Sequence, residues 1–194
     1  NYKKGGILVD HLFNDMPRNF KHTWRTEVEK KKKEKELSNM VIQNWSLDNL
    51  NECLGEVPAI LINLAMIGDI SVCLNFDGEH VAIEIAKRIG EIMNYDGIIT
   101  MTDCASDTNI ICGRQLLNVK HNSLLYQEDG IVAAGSTAID GQIEKMRSIG
   151  ISEENIWKMI GFLPMKLMLK KEVIKKIPYT YVNEKGKRNS QIVS

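Results

Sequence analysis

The sequence has no excess of either charge. Its 25 Lys and Arg stand against 25 Asp and Glu, a formal net charge of zero. Binding to phosphate backbones or anionic lipid rests on a basic excess, so the expected partners include no nucleic acid and no membrane surface. Long hydrophobic runs are also missing. The longest, Pro58 to Ile67, falls well short of the roughly 20 residues that a membrane-spanning helix needs. Cysteine is scarce: Cys53, Cys73, Cys104 and Cys112 form no C-x-x-C pair, which points to reduced thiols rather than a disulfide framework or a thiolate zinc site. The chain opens on Asn1 with no charged-then-apolar leader after it. It is expected to be a fragment or processed product with a cytoplasmic location.

What is present suits a packed domain. Hydrophobic residues make up 43% of 194 residues, enough for a core in one domain, or one with a small appendage. Gly6 to Val9, Ile70 to Phe76 and Gly97 to Thr102 read as buried apolar strands. Val81 to Met93 places Val81, Ile85, Ile89 and Ile92 on one helical face. Ser46 is a candidate cap for a helix over Leu47 to Leu54, and Pro58 can open another over Ala59 to Met66. Strand, polar strand end, then helix is the repeating unit, which predicts an α/β fold with a parallel sheet. Lys30 to Glu36 reads as a solvated helix or a loop. Beyond Asp107 the pattern changes. Leu116 to Lys120, Ser123 to Gln127 and Ile131 to Ala133 read as short antiparallel strands, with turns at His121-Asn122 and Asp129-Gly130. Thr137 to Ile149 reads as a helix with Ile139, Ile143 and Met146 on one face. Ser152 is an N-cap candidate for Glu153 to Gly161. Pro164 to Leu169 reads as one more helix, and Tyr179 to Val182 with Ser190 to Val193 as a terminal hairpin. Trp24, Trp45 and Trp157 are expected to pack.

In parallel β/α sheets catalytic groups gather at the C-terminal ends of the strands. His11, His80 and Asp103 lie at or just after those ends. A neutral imidazole there can ligate a divalent metal, and a carboxylate can take a proton from water and return it to a leaving amine. Taken singly, each also reads as a structural histidine or a helix-capping aspartate.

The motifs that hold these residues resemble one family. His11-Leu12-Phe13-Asn14-Asp15-Met16-Pro17 is similar to the His-Leu-Phe-Asn-Ala-Met-Pro segment of N-acetylglucosamine-6-phosphate deacetylases, in the amidohydrolase superfamily. Asp77-Gly78-Glu79-His80-Val81, Thr102-Asp103-Cys104 and Ala134-Gly135-Ser136-Thr137 follow in the family's order. The resemblance implies the C-terminal part of a (β/α)8 TIM-like barrel followed by a small β-sandwich portion. Residues 1–115 would hold the last three β/α units, with a lysine-rich insertion near 18–57. Residues 116–136 would be sandwich-like strands, 137–176 helices and 177–194 the sandwich's terminal hairpin.

The implied activity is hydrolysis of the acetamide of N-acetylglucosamine 6-phosphate to glucosamine 6-phosphate and acetate. It implies a divalent metal, zinc or iron, with His11 as a ligand and Asp103 as the catalytic acid/base. His80, Asn14, Asp15 and Ser136 would contact the substrate, and the full-length parent would be a homodimer. The family's other ligands, a glutamate and a histidine, precede the segment matched by His11 and are not among these 194 residues. A complete barrel takes about 250 residues. Asp15 replaces an alanine beside the expected phosphate site, and the family's Arg-Glu-Pro-Gly stretch is missing. Arg18, His22 and Arg25 are nearby candidates for that arginine's role, but none is a positional match. These departures leave open a different amidohydrolase acting on another amide, or a catalytically inactive binding fragment.

Overall fold

The structure, a computed structural model, describes residues 6–13, 16, 20, 27–105, 117–118, 123–127, 132–168, 178–182 and 188–192. It is mixed α/β, with a small parallel sheet and a separate small antiparallel sheet. Strands β1 (Ile7–Val9), β2 (Ile70–Leu74) and β3 (Ile98–Thr100) lie side by side in that order, all parallel. Ile7 pairs with Ile70, and Val72 with Ile98. Among the described residues three α-helices lie between β1 and β2: α1 (Glu27–Ser38), α2 (Leu50–Leu54) and α3 (Glu56–Met66). One, α4 (Ile83–Ile92), joins β2 to β3. Each strand therefore ends in a loop on the same edge of the sheet, as parallel pairing through helical crossovers requires.

The short antiparallel sheet holds β4 (Leu117–Asn118), β5 (Leu124–Tyr126) and β6 (Val132–Gly135). It stands where the sequence predicts short strands, and Gly135 also bridges to Cys104 in parallel, just past the end of β3. The last strand thus reaches the edge where β2 and β3 end. Helices α5 (Ile139–Ser148), α6 (Glu153–Trp157) and α7 (Leu163–Met168) follow, with a π turn at Lys158–Phe162 joining the last two. The Ser152 side chain accepts from the Asn155 N–H at 3.3 Å, satisfying one free donor of the α6 first turn. Strands β7 (Pro178–Val182) and β8 (Arg188–Ile192) pair antiparallel, as the terminal hairpin predicts.

One core joins the helices to the sheet. Val72, Leu74 and Ile98 face Val81, Ile85 and Ile89, all buried. Leu12, Phe13 and Phe20 extend this core past β1. Phe13 meets Phe20 edge to face at 5.3 Å, and Phe20 meets Trp45 at 5.6 Å, a geometry that aromatic quadrupoles favour. Leu50 and Leu54 are buried in it as well. The region expected to be an insertion therefore contributes side chains to the core. Its lysine-rich centre is α1, whose described lysines are exposed and whose Leu37 rests against the core.

At β1 and at Trp157 the structure departs from expectation. Gly6 to Val9 reads as a buried strand, yet Ile7 is 42% and Leu8 46% exposed. Among the described residues β1 pairs with β2 on one side and with no strand on the other. Ile139 opens α5 but is exposed, and the buried face of that helix is carried by Met146 and Gln142. Trp157 is exposed, its indole N–H donating to Glu153 at 3.1 Å. Cys73 and Cys104 are free thiols; burial, with the Asp10 charge, pushes Cys73 up to about 11. Among the described residues no helix is long and apolar enough to cross a membrane.

Candidate active site

The loop after β2 folds back on itself. Asn75 accepts from the Asp77 N–H at 3.0 Å, and Asp77 Oδ1 accepts from the N–H groups of Glu79 and His80 at 2.8 and 2.9 Å. Such Asx turns follow from short acceptor side chains placed two and three residues before the donor. Gly78 supplies the left-handed conformation the turn needs, at φ 74°. The turn brings the His80 ring back onto its own aspartate. Nδ1 lies 2.6 Å from Asp77 Oδ2, and both side chains are essentially fully buried.

A carboxylate only accepts, so this contact places the proton of the ring on Nδ1. The Asn75 amide nitrogen also lies 3.2 Å from Nδ1. The two cannot both bond it, and the shorter, charged partner prevails. The amide of Asn75 is in any case used on the Thr102 carbonyl at 3.1 Å, a bond across to the loop after β3. Burial pushes the Asp77 carboxyl up. The hydrogen bond and charge of His80, with the two backbone N–H groups, outweigh it and hold the carboxyl below its ordinary range.

The other ring nitrogen, Nε2, is buried and faces Asp103 Oδ2 at 3.3 Å without an aligned hydrogen bond. Asp103 is the solvent end of the group, its side chain about one-third exposed. It stands in the left-handed region at φ 44°, costly for a residue other than glycine and common where a side chain is re-aimed at a site. Its backbone is fixed from β6: the Gly135 N–H donates to the Asp103 carbonyl at 2.7 Å, and Ala105 donates back to the Gly135 carbonyl at 3.0 Å. Asp77, His80 and Asp103 therefore form one chain, buried at one end and open at the other. A proton in the gap between Nε2 and Oδ2 satisfies both atoms, and Asp103 can exchange it with solvent or substrate.

The remaining predicted residues stand outside this chain. His11 also has a positive φ, 44°; its N–H donates to Asp10 Oδ1 at 3.0 Å and its Nε2 lies 3.4 Å from Asp10 Oδ2, both side chains well exposed. Ser136 follows Gly135 and is exposed, its hydroxyl donating to the Ser123 carbonyl at 3.0 Å. Asn14 and Asp15 lie outside the described residues, as do Cys112, Trp24 and the turn at His121. Among the described residues no three His, Cys, Asp or Glu side chains are grouped to hold a metal ion. His80 separates its two carboxylates, so these three do not converge on one point. His11 is a single candidate ligand, and the described residues do not compose a metal centre.

Residues missed in the sequence complete the site. Asp77 lies three positions before His80 in Asp-Gly-Glu-His, the spacing that lets an aspartate cap its own turn and meet the ring. Gly135 is required by close approach: a Cβ there would stand 2.8 Å from His80 Cε1 and 3.3 Å from Asp77 Oδ2. No family model matches the chain, and no curated protein matches it. Among solved structures it is similar to the crystal structure of N-acetylglucosamine-6-phosphate deacetylase from Pasteurella multocida, at 16% identity and a TM-score of 0.46. That match covers 57% of this chain and 29% of the other, so the chain spans under a third of that protein's length, a distant likeness from which no function is read.

Proposed function

We propose that the chain is part of an amidohydrolase-type deacetylase. It hydrolyses the acetamide of an N-acetyl amino sugar phosphate, N-acetylglucosamine 6-phosphate, to the amine and acetate. The observation that carries this reading is the Asp77–His80–Asp103 chain at the C-terminal ends of β2 and β3. The order of the four motifs in the sequence supports the substrate class. On this reading the three parallel strands are the last three of a (β/α)8 barrel, the antiparallel strands and hairpin belong to a β-sandwich, and the parent is a cytoplasmic homodimer.

Each residue then has a task. Asp103 takes a proton from the attacking water and delivers it to the departing sugar nitrogen. Such positioned proton transfer is worth roughly 10²–10⁴-fold in rate. Through the proton in the gap between Nε2 and Oδ2, His80 holds Asp103 by one oxygen and leaves the other to take the proton of the water, while Asp77 orients the ring from Nδ1. Asn14, Asp15 and Ser136 contact the sugar phosphate. A divalent zinc or iron ion with His11 as a ligand belongs to the reading, and it would supply Lewis-acid activation of water or carbonyl. Its remaining ligands are not among the described residues, so none of these steps passes through it.

The test is acetate release from N-acetylglucosamine 6-phosphate and from the unphosphorylated sugar, with zinc or iron added. Preference for the phosphorylated sugar is expected. Asp15, which sets a carboxylate beside the expected phosphate site, favours a second reading: an amidohydrolase acting on an uncharged amide. Equal turnover of the two sugars would select that second reading.

A further inference from the structure

Helix α5 carries one side chain that bonds both strand-end loops of the site. Gln142 is fully buried. Its Oε1 accepts from the Phe76 N–H at 2.8 Å, and its Nε2 donates to the Met101 carbonyl at 2.9 Å. These partners fix the amide orientation, since an N–H meets only the oxygen and a carbonyl only the NH2 group. Phe76 immediately precedes Asp77, and Met101 lies two residues before Asp103. Among the described residues the Asn75 amide also crosses to the Thr102 carbonyl, and the Met101 N–H donates to the Leu74 carbonyl at the end of β2 at 3.3 Å. One helical turn after Gln142, the Lys145 ammonium donates to the Asp77 carbonyl. The helix thus grips the β2 loop at two adjacent residues and the β3 loop at one.

Burial alone does not call for an amide here. Met146 already provides the apolar anchor of α5, and a buried amide is costly unless each of its polar ends is bonded. What an amide adds over a methionine is a fixed distance between two backbones. That distance sets how the His80 ring stands against Asp103.

We propose that Gln142 is a positioning residue: it fixes the spacing between the loops after β2 and β3, and through it the gap between His80 Nε2 and Asp103 Oδ2. The catalytic part of this inference rests on the acid/base reading of Asp103 above. The geometric part stands without it.

Two variants test it in the full chain. Gln142→Met keeps the volume and removes both bonds. Gln142→Glu keeps the acceptor for Phe76 and loses the donor to Met101. Thermal melting establishes that each is folded, and the ring-nitrogen resonances of His80 are then compared with those of His11 as an internal control. In Gln142→Met the His80 resonances move and those of His11 do not. The kcat for acetate release falls about 100-fold, the scale set by a displacement near 1 Å, with KM nearly unchanged. Gln142→Glu falls between this variant and the wild type. A folded Gln142→Met with unchanged His80 resonances and kcat overturns the proposal. Should that variant unfold, unchanged His80 resonances in Gln142→Glu overturn it equally. A wild type that releases no acetate, while Gln142→Met still moves His80, overturns the deacetylase reading and leaves the positioning role standing.

Discussion

Replacing Gly135 by alanine puts a methyl group into the most crowded point of the site. The added Cβ stands 2.8 Å from His80 Cε1, 3.3 Å from Asp77 Oδ2 and 3.4 Å from the Asp103 carbonyl oxygen. Carbon atoms rest at about 3.5–4.0 Å, so the His80 ring must retreat by roughly 0.7–1.2 Å. It has little room to do so. Its Nδ1 is held by Asp77 at 2.6 Å and the ring is 2% exposed. The glycine cannot retreat either, because its N–H and carbonyl are both bonded to the segment around Asp103.

Overpacking of a tight interior costs about 1–3 kcal/mol, and a domain of this size loses roughly 2–4 °C of melting temperature per kcal/mol. A loss of roughly 2–12 °C follows, together with displaced His80 ring resonances. The matched control is Gly161→Ala, where nothing lies within 4 Å of the new Cβ. In a helical turn that change is neutral or slightly stabilising. Calorimetry of the three proteins decides the matter. A Gly135→Ala protein that melts with the wild type and keeps its His80 resonances would refute the close-approach account.

Asp77 gives a pH dependence with a definite sign. Its carboxyl is held below the ordinary range in the folded chain, so its contribution is complete above the unfolded value and disappears as pH falls through the folded one. The melting gap between wild type and Asp77→Asn should be full at pH 7, close to the ~1.5–3 kcal/mol of a charged hydrogen bond, and should close below about pH 4; a constant gap would contradict this. Thiol titration should separate the cysteines. Exposed Cys104 reacts in the native protein, whereas Cys73, buried and raised to about 11, reacts only after denaturation; equal rates would contradict this. His11→Ala should leave the melting temperature within about 1 °C, because its contacts to Asp10 are exposed and such pairs contribute little. A larger loss would show that the left-handed turn at His11 depends on its side chain.

The parallel sheet was legible because β-branched and apolar runs at Ile70 to Leu74 and Ile98 to Thr100 are buried on both faces, and such strands read as continuous hydrophobic stretches. The same signal misread β1. Three apolar residues read the same whether their side chains are covered or, as for Ile7 and Leu8, exposed, and pairing among the described residues is not written in local sequence. The strand-end positions of His80 and Asp103 were also legible, from strand followed by polar residues. Their joining through Asp77 was only half so: the Asp-x-x-His spacing permits the turn, but the reach of His80 to Asp103 depends on the β2–β3 register. Gln142 left a faint mark, a polar residue four positions before buried Met146. Its two partners lie 66 and 41 residues away, so no periodicity could name them.

On the proposed reading Asp103, backed by buried His80 and Asp77, moves the proton in acetamide hydrolysis. Acetate release from N-acetylglucosamine 6-phosphate, with zinc or iron added, compares wild type with Asp103→Asn at matched folding. Turnover is expected in the wild type and a loss of about 100-fold or more in the variant. Undiminished turnover in a folded Asp103→Asn would contradict it.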